Sequence, residues 1–120
     1  MNITNNEISN EFSNGNFKFT YPFMSDDIVW NVVGSNSIKG KPAMLAYCDK
    51  MLVVMANSTL INTSHIVSED LIAVQGYCNY MNENDTPGRV EYCDVYRFNE
   101  GKLHEITSYC IEIKNELISN

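Results

Sequence analysis

Arg89-Val-Glu-Tyr-Cys-Asp94-Val-Tyr-Arg-Phe98, then Asn99-Glu-Gly101-Lys, then Leu103-His-Glu-Ile106-Thr-Ser-Tyr-Cys110-Ile-Glu-Ile113, is the stretch whose reading decides the fold. Two runs rich in β-branched and aromatic residues flank a turn carrying Asn99 and Gly101, which is the pattern of a β-hairpin. The first run sorts by strand alternation. Val90, Tyr92, Asp94, Tyr96 and Phe98 fall on one face; Glu91, Cys93, Val95 and Arg97 fall on the other. Asp94 is thus a lone carboxyl among large apolar groups on the face expected to be buried. Such a group costs free energy unless it is protonated, paired or used.

Working back from the hairpin, strands are predicted at about 59–67 and 71–81, with turns at Ser68-Glu69-Asp70 and over the polar loop 82–88. Ahead of them, Met44, Leu45, Cys48, Met51, Leu52 and Met55 recur at helical spacing behind Pro42, which predicts a helix over 42–56. Ile28–Val33 reads as a strand ending at Gly34. Ser35–Ser37 reads as a loop, and Ile38–Gly40 as the approach to the helix. Near the N-terminus Ile8 and Phe12 suit one short amphipathic helix stopped at Asn14-Gly15. Residues 16–25 read either way: Phe17, Phe19, Tyr21 and Phe23 alternate like a strand, and Pro22 limits strand and helix alike. Helices followed by a run of antiparallel strands is an α+β order. The sheet is expected to curl over the helices and leave a cavity between them.

The chain has 120 residues, which predicts a single domain over 1–120. Its net charge of −7 with no Lys/Arg cluster argues against nucleic-acid binding and against anionic membranes. The start, Met1-Asn2-Ile3-Thr4-Asn5, lacks the basic and apolar regions of a secretory leader. No apolar run approaches membrane-spanning length. Cys48, Cys78, Cys93 and Cys110 show no metal-ligand or redox spacing. They are expected to be reduced, buried thiols of a cytoplasmic protein, with no metal, no cofactor and no bridge, although the strands of Cys78 and Cys93 are expected to be neighbours.

The order of elements and three segments resemble the NTF2-like superfamily, and within it the ketosteroid-isomerase and SnoaL-like polyketide-cyclase groups. The segments are Gly15 through Asp26-Asp27-Ile28-Val29-Trp30; Gly34 with Ile38-Lys39-Gly40-Lys41-Pro42; and Asp94 through Leu103. The resemblance implies a cone, with a curved antiparallel sheet wrapped around N-terminal helices and an internal pocket. Ketosteroid isomerases use an Asp base near the end of the first strand, where this chain has Asn31 or Val32. They use a Tyr on the first helix, where counting back from Gly15 reaches Ile8. Their neutral Asp on the penultimate strand is matched by Asp94 (the same acid serves as a general illustration of a carboxyl kept neutral by an apolar site). SnoaL-like cyclases are described as relying mainly on one cavity acid, which Asp94 also fits.

The expected function is therefore that of a small-molecule pocket protein. Asp94 is its candidate acid for cyclase or isomerase chemistry on an apolar carbonyl compound. The alternative is a ligand-binding or protein-interaction domain without catalysis. The expected pocket wall is Trp30, Asn31, Tyr92 and Tyr96, with Met51 from the helix. Ile106, Ser108 and Cys110, with His104, share an alternation set that the resemblance turns toward the cavity. His65 and His104 are candidate proton shuttles, though strand-end and surface histidines are common. Asp26 and Asp27 sit where a turn-capping oxygen is wanted. The opposite alternation set, Val95 with Leu103, Thr107, Tyr109, Ile111 and Ile113, is too apolar for a wet face. It predicts a homodimer through the outer face of the sheet.

Overall fold

The computed structural model of the chain describes residues 3–114; Met1 and Asn2 of the leader argument lie outside them. Helix α1 runs Asn5–Ser13, α2 Phe17–Thr20, strand β1 Met24–Val32, β2 Asn36–Lys39, α3 Lys41–Val54, β3 Thr59–Ser68, β4 Leu71–Met81, β5 Pro87–Asn99 and β6 Lys102–Ile113. The strands form one six-stranded sheet in the order β2-β1-β6-β5-β4-β3. All neighbours are antiparallel except β1 and β6, which pair in parallel. The helices fill the concave side, giving the expected α+β architecture.

Local chemistry explains the helix ends. The Thr4 side chain accepts from the Glu7 backbone N–H, and the Glu7 carboxylate accepts from the Thr4 N–H, a capping box that starts α1. Gly15, at φ +88°, stops it in the left-handed region. Helix α1 buries Ile8, Ser9, Phe12 and Ser13. The ambiguous segment 16–25 resolves as α2 followed by a 3-10 turn at Tyr21–Phe23, with Pro22 in its first positions. Phe17 alone of its four alternating aromatics is buried, packed 4.7 Å from the ring of Phe12. Helix α3 buries Met44 and Cys48 and half-buries Leu45, Met51, Leu52 and Met55.

Three sequence expectations are corrected. Asn36–Lys39 is a strand, hairpinned onto β1 across Gly34 at φ +81°. It is a polar edge strand whose single buried residue is Ile38, so its composition imitates a loop. Strand β5 begins at Pro87, which shortens the preceding loop. Leu103, placed on the outer face by alternation, is fully buried in the core. The cause is a β-bulge: Arg97 pairs with Glu105 but Phe98 with Leu103, so His104 is an extra residue and the parity of β6 reverses there. A second bulge, at Thr63 of β3 between the pairs Asn62–Gly76 and Ser64–Gln75, adds curvature.

The register arranges the concave face in rows across the sheet. Ile38, Trp30, Ile106, Tyr96 and Ile72 form one; Ser108, Asp94 and Val74 the next; Cys110, Tyr92, Gly76 and Asn62 a third; Val90, Cys78 and Leu60 a fourth. The first row belongs to the hydrophobic core with Ile8, Phe12, Met44 and Leu103, and Trp30 and Phe12 at its margin also reach the cavity. The later rows open progressively toward the loop end of β4 and β5.

Candidate functional site

A cavity of about 430 Å³ lies between these later rows and the helices, a size ordinary for small-molecule sites. Phe12, Ser13 and Phe17 form its helical wall, Met51, Val54 and Met55 of α3 its side, and Leu60, Cys78, Tyr80, Met81 and Val90 its outer strands. Trp30, Tyr92, Asp94, Ser108 and Cys110, with Asn57 and Ser58 after α3, complete it. Among the described residues, no Lys, Arg or His lines it.

Asp94 sits on the floor, 7% exposed, where the closed core gives way to the cavity. Its Oδ2 accepts from Ser13 Oγ at 2.8 Å and from the Tyr96 hydroxyl at 3.5 Å. Ser13 and Tyr96 also hydrogen-bond each other; with one proton each, the two hydroxyls supply two of these three contacts at a time beside an ionised Asp94. Ser108 stands directly across the β5–β6 ladder from Asp94, and its nearby hydroxyl favours the charged form of the carboxyl. Ser108 Oγ in turn accepts from Trp30 Nε1 at 2.8 Å, which leaves the Ser108 proton for Asp94. Burial pushes the Asp94 carboxyl above its ordinary range, and the hydroxyls of Ser108, Ser13 and Tyr96 pull it partly back. Desolvation wins, so the acid is biased toward its neutral form. Tyr96 is itself fully buried and its phenol is pushed up by that burial and by Asp94.

The wall above Asp94 is held by a strap across the sheet. Tyr92 crosses over Gly76 and donates to Asn62 Oδ1 at 2.7 Å. Asn62 Nδ2 then donates to the Asn10 carbonyl of α1 at 2.9 Å. A Cβ at Gly76 would lie 2.6 Å from Tyr92 Cζ and closer still to its hydroxyl and to the Ile61 carbonyl oxygen. The glycine is therefore required by close approach, not by backbone angle. The strap ties down the helix that carries Ser13.

Of the residues singled out from the sequence, Asp94, Trp30, Tyr92, Ser108, Cys110 and Met51 line the cavity. Tyr96, expected in the wall, is fully buried and does not line the cavity; its hydroxyl meets Asp94 from the core side. Ile106 is fully buried in the core row beneath. Asn31 alternates with Trp30 and so faces away; its Oδ1 accepts from Ser37 Oγ at 2.7 Å. Ile8, at the helix position assigned to a Tyr, is buried core. His65, Asp26 and Asp27 are exposed. His104 occupies the bulge, with Nδ1 3.5 Å from Asp27 Oδ1, outside the cavity. Met55 joins Met51 in the lining. Ser13, the closest polar partner of Asp94, was missed; its spacing from Ser9 and Phe12 on the α1 face was the available signal.

The cysteines are free, but only Cys48 is buried. That burial pushes its thiol up to about 12. Cys78 pairs with Val90 and Cys93 with Gln75, so the two thiols point to opposite faces and cannot bridge. Cys110 is exposed at its residue surface, yet partial desolvation of its thiol, with Asp94 nearby, pushes it up to about 11. Among the described residues no three His, Cys, Asp or Glu side chains converge on one point.

The arrangement can present one neutral acid to an oxygen or nitrogen in an otherwise apolar chamber. Comparison with known proteins agrees with that architecture. The SnoaL-like domain family model matches residues 7–106. An NTF2-like protein of unknown function from Cytophaga hutchinsonii superposes with TM-score 0.86 at 38% identity, over 88% of this chain and 95% of that one. A putative SnoaL-like polyketide cyclase from Jannaschia gives TM-score 0.75 at 9% identity, over 92% and 90%. SalBIII, an epoxide hydrolase/cyclase-like enzyme with a role in pyran ring formation in the polyether salinomycin, gives 0.69 at 19%, over 89% and 90%. The search of curated proteins found no match. The chain belongs to the SnoaL-like domain family of the NTF2-like superfamily.

Proposed function

We propose that the chain is a small-molecule pocket protein in which Asp94 works as an acid on an apolar carbonyl compound, in cyclase- or isomerase-type chemistry. One observation carries this reading: a buried carboxyl, contacted by the hydroxyls of Ser13 and Tyr96 and pushed above its ordinary range by its burial, stands on the floor of a largely apolar cavity. A neutral carboxyl donates a hydrogen bond to a carbonyl oxygen. It strengthens that bond, or passes its proton, as negative charge develops there. The hydroxyls around it hold the carboxylate that results.

A second reading, ligand binding without catalysis, is favoured by the absence of a base. Asn31 faces out of the cavity, and the remaining ionisable lining groups are thiols and phenols, weak acids all. The two readings share an apolar occupant and differ in whether it is transformed. Self-association through the outer face is also part of the proposal. Tyr109 and Ile111, 48% and 65% exposed, flank Cys93 and Glu91 there, and a symmetric contact would cover them. A cytoplasmic setting is inferred from the free thiols. Among the described residues no helix is long and apolar enough to cross a membrane.

The test is a thermal-shift screen of aromatic ketones, steroids and polyketides against the wild type and Asp94→Asn, followed by product analysis of whatever binds. A ketone that raises the melting temperature and is turned over only by the wild type supports the catalytic reading. Binding without turnover supports the second. A full screen with no shift removes both.

A further inference from the structure

We infer that the cavity takes an apolar amine, held as an ammonium ion against Asp94 and between aromatic rings. The inference rests on the reading of Asp94 as the working group of the pocket and goes beyond it to a second class of head group.

Three observations point the same way. The first is the charge balance. Among the described residues Asp94 is the one carboxyl in the lining and no cationic side chain lines it, and the chain carries −7 overall. An anionic ligand meets no counter-charge inside and a repulsive field outside; a cation is drawn in. The second is the wall. Phe12, Phe17, Trp30, Tyr80 and Tyr92 all line the chamber. Trp30 reaches Ser108 directly across from Asp94, and Tyr92 lies two residues along the same strand. Aromatic faces attract ammonium groups, most strongly where water is excluded.

The third is the hydroxyl set. The hydroxyls of Ser13 and Tyr96 contact Asp94, and that of Ser108 lies across the ladder from it. A carboxylate has about four acceptor sites, so at least one remains for a ligand. Donors aimed at a carboxyl stabilise its anion. A carbonyl ligand meets that anion only after the proton has passed; an ammonium ligand requires it from the start. Burial outweighs the hydroxyls and raises the Asp94 pKa; a paired cation works the other way and favours the anion. The proton inventory closes. When a free amine enters, the O–H bond of Asp94 breaks and an N–H bond forms on the ligand. When an ammonium enters, any proton on Asp94 leaves to solvent.

The experiment uses one aromatic body with four heads: naphthylethylamine, its N-acetyl amide, acetylnaphthalene and naphthylacetate. Each is titrated calorimetrically into the full chain and into Asp94→Asn. The expected result is that the amine binds tightest. N-acetylation, which keeps the body and removes the charge, should weaken binding at least about tenfold, as should Asp94→Asn for the amine. The ketone should change by less than about threefold in the variant, because Asn still donates a hydrogen bond. The N-acetyl comparison needs only wild-type protein, so it stands even if the variant does not fold. Tightest binding by the ketone overturns the amine inference and leaves the carbonyl reading in place. Tightest binding by the carboxylate, or binding by none of the four, overturns both.

Discussion

Replacing Gly76 by Ala separates two opposed physical effects. Glycine inside a strand is costly, and Ala in its place is normally worth about 0.5–1 kcal/mol. The backbone angles of Gly76 lie outside the positive-φ region, so an L-residue meets no conformational barrier there. Against this stands the strap. A Cβ would lie 2.6 Å from Tyr92 Cζ, with the Tyr92 hydroxyl and the Ile61 carbonyl oxygen closer still. Overpacking of that kind costs about 1–3 kcal/mol. Displacing Tyr92 also breaks its 2.7 Å bond to Asn62, about 1 kcal/mol more. The steric side wins, and a net loss of about 1–3 kcal/mol is expected. Urea denaturation followed by tryptophan fluorescence measures it directly, since Trp30 is the single tryptophan and packs beside the strapped helix. A neutral or stabilised Gly76→Ala would refute the crossing of Tyr92 over β4 and the account of how α1 is held.

Asp94→Asn should fold, and its stability relative to wild type should shift in its favour as pH rises. With the folded pKa raised, Asp94's contribution is full below the unfolded value of about 3.9 and is lost as pH climbs through the folded one. Denaturation midpoints at stepped pH test this, and a shift of the opposite sign would mark a paired structural anion. Ser13→Ala removes a donor to the carboxylate and should raise the Asp94 pKa further, read by carboxyl NMR; an unchanged value would mean that the 2.8 Å bond carries no weight. Alkylation of the native protein should label Cys110 ahead of Cys48, which is buried, with four thiols modified after denaturation. Light scattering should give twice the 13.7 kDa chain mass if the outer face pairs, and 13.7 kDa if it does not.

The hairpin alone disclosed the working face, because alternation along β5 is uninterrupted from Val90 to Phe98 and places Asp94 inward. The same rule failed on β6. The bulge at His104 turns Leu103 into the core, and nothing in Lys102-Leu103-His104-Glu105 announces the extra residue. Asn31 was a different kind of miss. Trp30 and Asn31 are consecutive on one strand, so both could not face the cavity, and counting from Gly34 overrode a signal already present. Strand β2 was hidden by polarity: an edge strand with one buried residue has a loop's composition. Ser13 was hidden because small polar residues on a helix face look the same whether they meet solvent or a carboxyl 81 positions away.

The central claim is that Asp94 is a carboxyl held toward neutrality in a ligand cavity. Its titration can be followed by ¹³C NMR of aspartate-labelled protein, with Asp94→Asn assigning the resonance. The account predicts a midpoint clearly above the ordinary aspartate value of about 3.9. A midpoint at or below that value would show a carboxylate stabilised by its hydroxyls alone, and Asp94 would then be a structural anion and not the acid of the pocket.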